Sequence, residues 1–322
     1  MIEIAPGVRA HSHAPLLATA SIQWGPDLAF SACSLITPYV SPIALALLLI
    51  AAAMHTGWNL LIKRSAHKQI FTWWALAAGV ACFAPLLLWS RPLPGAVWPY
   101  LIASAAVEAL YFIALTRAYQ QADFSLVYPL ARGTAPALLV LWAVLFLGER
   151  PTPTGWVGLA LLIAGLLVVA GLTGWTGRSA WGKNGVLTAL AAAVCISVYG
   201  AIDGAAMRLA DPMPYLIVLL GLTAALTAPA VGAYYGRQAL IAEWRAHWPR
   251  IVSAGVLSMA AYALVLQAYV LAPVSYAGAV REIGVVFAAL VGWRWLGEAF
   301  GPIRTAGATL IFLGLVLIAL AG

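Results

Sequence analysis

"LGERPTPTGWVGLALLIAGLLVVAG", Leu147 to Gly171, returns near the end of the chain as "LGEAFGPIRTAGATLIFLGLVLIALAG", Leu296 to Gly322. At an offset of 149, Gly148 meets Gly297, Glu149 meets Glu298, Pro153 meets Pro302, Gly158 meets Gly307 and Gly165 meets Gly314. Carried backwards, the same offset places Arg132 on Arg281. One residue of slip then lays "RAYQQADFS" over "QAYVLAPVS", pairing Tyr119 with Tyr269 and Ser125 with Ser275. A weaker match, at an offset of 140, sets "AAAMHTGWN" from Ala51 over "AAAVCISVY" from Ala191, with His55 on Cys195, Asn59 on Tyr199 and Lys63 on Asp203. Self-similarity at a fixed spacing marks a repeat architecture, so the chain is a duplication.

What is duplicated is a set of membrane spans. Of 322 residues, 64% are hydrophobic and 8% charged, against about 45–50% and about 25% in soluble domains. Apolar runs of about 20 residues, long enough for a ~30 Å hydrocarbon core, fall near 41–62, 70–90, 97–118, 124–147, 153–173, 184–207, 213–235, 251–271, 274–296 and 302–321. The expected fold is an all-α membrane protein of ten transmembrane helices in two repeats, residues 40–175 and 176–322. Each repeat has five spans. An odd number sends the second half into the membrane upside down, and inverted repeats of this kind characterise secondary transporters, with the substrate site near the midplane at the repeat interface.

Residues 1–39 do not match the rest. They lack a basic stretch followed by a clean apolar core, as a signal peptide has, and they lack a span. They are read as outside the fold: a disordered extension, or a start assigned upstream of a biological one near Val40.

The net charge of +7 does not point to nucleic acid, because the basic residues sit in short loops between spans, where they set orientation. One side collects Lys63, Arg64, Lys68, Arg117, Arg178, Lys183, Arg237, Arg245, Arg250, Arg294 and Arg304; the other collects Arg9, Arg91, Arg150 and Arg208. This bias favours both termini outside. Cys33, Cys82 and Cys195 give no disulfide framework. The indoles of Trp73, Trp74, Trp98, Trp156, Trp181 and Trp248 fall near span ends, where tryptophan commonly anchors. "GRSAWGKN", Gly177 to Asn184, misses a phosphate-binding loop by its last residue and lies between spans rather than between a strand and a helix. No cofactor is expected.

Charge inside the spans carries the functional signal. "SYAGAVREIGVVFAALVGW", Ser275 to Trp293, holds Arg281 and Glu282 in an apolar run. A charge at the bilayer centre costs roughly 2.5–3.5 kcal/mol on insertion scales, so intramembrane charges mark functional sites by default. At about 1.5 Å per residue, Arg132 lies ~12 Å deep, Arg281 ~10 Å from the opposite face and Glu108 ~13 Å deep. Neighbouring helix residues point about 100° apart, so Arg281 and Glu282 are expected to face different ways, with Glu108 a partner for an arginine. Pro129 and Pro136 flank Arg132 in "VYPLARGTAP", and each removes a helical hydrogen bond, which points to a break at the site. His55 and Asn59 share a face of helix one, Tyr199 and Asp203 a face of helix six, and Tyr128 lies one turn before Arg132. The expected substrate-binding set is Arg132, Arg281, Tyr128, Asn59, His55 and Tyr199. Tyr111, Tyr262, Gln267 and Tyr276 have less support. Glu108 and Glu282 are the proton-coupling candidates, since acids inside spans serve as proton relays.

Two five-helix halves, the "LGER" and "LGEAF" helix ends before a Gly-rich span, and "HTGWN" in helix one together resemble the EamA-like members of the drug/metabolite transporter superfamily. The likeness covers about residues 40 to 322. It implies a multi-pass carrier in a bacterial cytoplasmic membrane, monomeric or homodimeric, whose partners are the lipid bilayer and a small-molecule substrate. With guanidinium groups suited to carboxylates, the expected cargo is a small anionic or zwitterionic metabolite, amino-acid-like, moved by alternating access in export or exchange. A flippase for a lipid or lipid-linked carrier is the alternative. An enzyme is not expected, because no metal triad or nucleophile arrangement is present in the sequence.

Overall fold

The computed structural model describes residues 40–63, 65, 67–121, 124–174, 183–284 and 302–320, all within the compact unit Thr37–Gly322. The extension at residues 1–39 lies outside this set, as does the run 285–301. Helices account for nearly all of it: α1 Pro42–Lys63, α2 Lys68–Phe83, α3 Trp98–Gln121, α4 Phe124–Phe146, α5 Pro153–Gly174 and α6 Lys183–Ala206. The stretch Pro212–Leu271 is interrupted at Gly236, whose φ of 77° and ψ of 156° are not helical. It is therefore two helices, α7 (212–235) and α8 (237–271). After these come α9 Val274–Arg281 and α10 Pro302–Leu320.

Helix starts follow local chemistry. Ser41 precedes Pro42, and its Oγ accepts the Ala44 amide at 3.1 Å; Thr152 precedes Pro153, and its Oγ1 accepts the Gly155 amide at 3.1 Å. A hydroxyl at the cap with proline in the first helical position satisfies one free amide where proline has none to satisfy. At 24 residues, α3 is about 36 Å long, enough to cross the hydrocarbon core.

Within lipid, helices associate through close packing of small residues rather than through water exclusion. The contact between α5 and α10 shows this and also fixes the symmetry. A Cβ placed on Gly158 would lie 2.9 Å from the Gly314 carbonyl oxygen, and one on Gly165 would lie 2.6 Å from that of Gly307. Rising number on α5 meets falling number on α10, so the two run antiparallel. The offset of 149 carries Gly158 to Gly307 and Gly165 to Gly314, so it exchanges these two contacts with each other. Two antiparallel helices that exchange in this way are related by a two-fold axis perpendicular to both, which lies in the membrane plane. The halves are inverted repeats. A further glycine pair, Gly79 on α2 and Gly255 on α8, closes a second tight crossing, with a Cβ on Gly79 2.8 Å from the Gly255 oxygen. Elsewhere α3 packs on α6, α4 on α6 and α9, and α1 on α9.

Two local expectations are corrected. Residues 237–250, placed between spans on the strength of Arg237, Arg245 and Arg250, form the first turns of α8. Glu243, 5% exposed, accepts a bond from Ser65 at 2.9 Å and faces His247 at 3.5 Å, and Trp244 packs on Trp74. This segment is anchored by its side chains against the α1–α2 corner. Second, α4 runs helical through Pro129 and Pro136. Transmembrane helices tolerate proline where neighbours meet the freed carbonyl. The break falls in the ninth helix, where α9 ends at Arg281 and Glu282 sits in a turn with ψ of 0°. Near the start of α2, Trp73 and Trp74 donate to the Ala224 and Leu240 carbonyls at 3.1 and 2.9 Å, so they tie α2 to α7 and α8.

A polar cluster between the two halves

Asp203, one turn from the end of α6, is fully buried. Its Oδ1 accepts Ser104 Oγ of α3 at 2.6 Å and Tyr215 Oη of α7 at 2.6 Å, and its Oδ2 accepts the Tyr262 hydroxyl of α8. One carboxylate thus gathers donors from three helices, one of which belongs to the other half. Ser104 and Glu108 are spaced i, i+4 and share a face of α3. Glu108, 7% exposed, accepts Thr223 Oγ1 of α7 at 2.8 Å, and the same hydroxyl also reaches the Leu219 carbonyl at 3.0 Å. The two acids are within electrostatic reach of each other, and Arg281 is within reach of Asp203. Buried charges persist only when paired or hydrogen-bonded, and side chains from both halves supply these bonds.

Arg281 itself sits at the last residue of α9 with its side chain 12% exposed. Its Nε and Nη2 both reach Glu282 Oε1 at 3.3 Å. The expectation that neighbouring residues must diverge is corrected here: it holds for an α-helix, but Glu282 has left the helix and swings back beside Arg281. The turn bonds of Glu282 and Ile283 to the carbonyls of Ala279 and Val280, each at 3.1 Å, span only three residues. Irregular backbone at membrane depth lies where protein or a wet cavity covers it. On one side that cover is α1, whose Thr56 Oγ1 reaches the Gly284 carbonyl at 3.2 Å.

The expected site residues divide into three groups. Glu108, Arg281, Glu282 and Tyr199 fall in or beside the cluster; Tyr199 is 8% exposed and meets Tyr111 edge to face at 6.1 Å. His55 instead faces Trp58, accepting its indole N–H on Nδ1 at 3.0 Å. The side chains of Asn59, Tyr128 and Arg132 lie outside the described set. Sequence reasoning missed Ser104, Tyr215 and Thr223. The i, i+4 spacing of Ser104 to Glu108 was available as a signal. No periodicity points from Tyr215 or Thr223 to acids on other helices.

A second polar junction lies where the α4–α5 corner of the first half meets α9 of the second. Glu149, in the first copy of the duplicated "LGE", accepts the amides of Val274 at 2.5 Å and Ser275 at 3.0 Å on its two oxygens, capping the start of α9. Tyr276 Oη accepts the Thr152 amide at 3.1 Å, and Arg208 donates to the Leu147 carbonyl at 3.1 Å. Gly148 in this corner has φ of 69°, a left-handed conformation that side chains disfavour. Near the same end, Arg91, Pro94, Met207, Arg208, Asp211 and Pro214 line part of a cavity of about 330 Å³.

Two inverted membrane-embedded halves with their buried acids hydrogen-bonded across the seam make up the architecture of a membrane transporter. The chain belongs to the EamA-like transporter family, whose model matches residues 42–171 and again 183–320, and it is an integral, multi-pass membrane protein. It is similar to the pseudopaline exporter CntI of Pseudomonas aeruginosa, 26% identical over 219 residues, 68% of this chain and 74% of that one. It is also similar to the spermidine export protein MdtI of Salmonella paratyphi B, 42% identical over 72 residues, 22% of this chain and 64% of that one. A solved crystal structure with a TM-score of 0.68 and 20% identity covers 86% of this chain and 96% of its own, and supports the fold.

Proposed function

We propose that the protein is a proton-coupled exporter of a small zwitterionic metabolite, working by alternating access of its two halves in a bacterial cytoplasmic membrane. The observation that carries this reading is the pair of buried carboxylates, Glu108 and Asp203, held by side chains of both halves with a guanidinium within electrostatic reach. A cluster of this make-up offers carboxylates to an amine and Arg281 to a carboxylate, and the planar guanidinium suits a two-point bond to the latter. The bonds of Asp203 and Glu108 cross the seam, so a motion of one half against the other changes what surrounds each acid. An acid whose surroundings change in this way can take up a proton on one side and release it on the other. The outward direction draws support from two relatives named as exporters.

Reconstitution tests it. Purified protein in proteoliposomes, with an imposed pH gradient and radiolabelled amino acids as the probe, should show gradient-driven flux in the wild type. Glu108→Gln keeps the shape but cannot carry a proton, and should lose the dependence on the gradient. Full flux with an unchanged pH response would rule out Glu108 as the carrier. Movement of fluorescent lipid between leaflets, in place of amino-acid flux, would favour the flippase alternative.

A further inference from the structure

The cavity of about 330 Å³ is lined by residues outside the polar cluster. Its volume lies at the lower end of the range that small-molecule sites occupy, about 300–1,000 Å³. One wall is "RPLP", Arg91 to Pro94; the other runs from Met207 to Asp211 and includes Pro214. Since the second wall closes with "DPMP", Asp211 to Pro214, a charged residue followed by Pro-x-Pro stands on each side. Proline fixes φ and has no amide N–H. The walls are therefore stiff and poor in backbone donors, and recognition falls to the side chains of Arg91, Arg208 and Asp211.

The same prolines release Asp211. It is the N-cap residue of α7, where an aspartate ordinarily accepts the amide of the second or third helical residue. The third is Pro214, which has no amide to give, and Asp211 makes no side-chain cap bond. Arg208 donates through Nη2 to the Leu147 carbonyl at 3.1 Å and keeps its other donors. Among the described residues neither Arg91 nor Asp211 forms an ion pair. The depth of these charges is set by the spans, which end at Leu88 and Ala206 and resume at Gly95 and Pro212. Each charge thus stands within three residues of a span end, at the level of lipid head groups. Just before Arg91 the chain presents Leu88 and Trp89, 81% and 79% exposed, and Leu209 beside Arg208 is exposed as well. A small soluble ligand would leave these apolar side chains uncovered, whereas acyl chains would cover them.

We propose that this cavity seats the head group of an aminophospholipid such as phosphatidylethanolamine, its phosphate on Arg91 and Arg208, its ammonium on Asp211, and its acyl chains over Leu88, Trp89 and Leu209. A guanidinium meets phosphate through two parallel charge-assisted bonds, and Asp211 distinguishes a head group that carries an ammonium from one that does not. The site is separate from the cargo site proposed above and stands whether or not the cargo is a zwitterion.

The test is native mass spectrometry of the purified, delipidated full-length protein in detergent micelles holding equal amounts of dioleoyl phosphatidylethanolamine and dioleoyl phosphatidylglycerol, scored on the first lipid retained. The wild type should retain phosphatidylethanolamine over phosphatidylglycerol by about threefold, the scale of an ion pair near water. Asp211→Asn should lose that preference while holding phosphatidylglycerol at least as well as the wild type, which a misfolded protein would not do. Arg91→Gln should retain less of both lipids, by about threefold each. Equal retention of the two lipids by the wild type overturns the proposal, as does a preference that survives Asp211→Asn or a loss of both lipids in that variant. Full retention by Arg91→Gln also overturns it. So does displacement of the bound lipid by an equal concentration of soluble O-phosphoethanolamine, because the acyl chains would then contribute nothing and the cavity would be a site for soluble zwitterions.

Discussion

Replacing Gly165 with alanine tests the symmetry axis itself. The added Cβ would sit 2.6 Å from the Gly307 oxygen, 2.7 Å from the Ile311 nitrogen and 2.8 Å from Ile311 Cγ1. Since even a close carbon-to-oxygen contact needs about 3.3 Å, α5 and α10 must separate by about 0.7 Å or tilt to receive it. Two of the three obstructing atoms are backbone, so no rotamer change relieves the clash. Overpacking of this kind costs about 1–3 kcal/mol, and the separation also loosens the repeat-related contact at Gly158 and Gly314. The measurement is thermal unfolding of the detergent-solubilised protein, followed by tryptophan fluorescence, with Gly232→Ala as the control. Gly232 lies in α7 with nothing within 4 Å of its Cβ position. Alanine there should be neutral or stabilising by up to about 1 kcal/mol, because glycine is the weaker helix former. If Gly165→Ala melts with the wild type, or no lower than Gly232→Ala, the close antiparallel crossing from which the axis was deduced is not what holds these helices.

Two further substitutions probe the polar contacts. Gly155→Ala would drive its methyl into the Tyr276 hydroxyl and should destabilise by about 1–3 kcal/mol; adding Tyr276→Phe should recover part of the loss, and a strictly additive double variant in thermal unfolding would disprove the contact. Asp203→Asn retains one acceptor oxygen but turns an acceptor of hydroxyls into a donor facing them, so unfolding should be easier by about 1–3 kcal/mol. An Asp203→Asn protein as stable as wild type would show that the three-donor cluster is not a structural centre.

The ten-span architecture and its inversion were legible in the sequence because lipid leaves few options: a span must be long, apolar and helical. The Gly158 and Gly165 matches at an offset of 149 were readable for the same reason, since a helix crossing that close admits only a hydrogen at Cα. What escaped was set by tertiary contacts. The start of α8 reads as a polar loop until Ser65 and Trp74 are placed against Glu243 and Trp244. The prolines around Arg132 point to a break, yet α4 runs helical through both, while the break after Arg281 carries no proline or glycine until Gly284. For the site, Glu108 and Arg281 stood out because charge is rare in a span. The hydroxyls that surround Asp203 did not, because a tyrosine or serine in an apolar helix looks alike whether it faces lipid, a neighbouring carbonyl or an acid two helices away.

The bond from Glu149 to the first amides of α9 bears on how such a chain can be divided. A carboxylate encoded in the first copy completes a helix encoded in the second. A fragment beginning at residue 176 would carry the Val274 and Ser275 amides without their acceptor. Fusion of the ancestral copies into a single polypeptide therefore supplies more than stoichiometry: it guarantees that each newly made α9 finds its cap already in the bilayer, synthesised first.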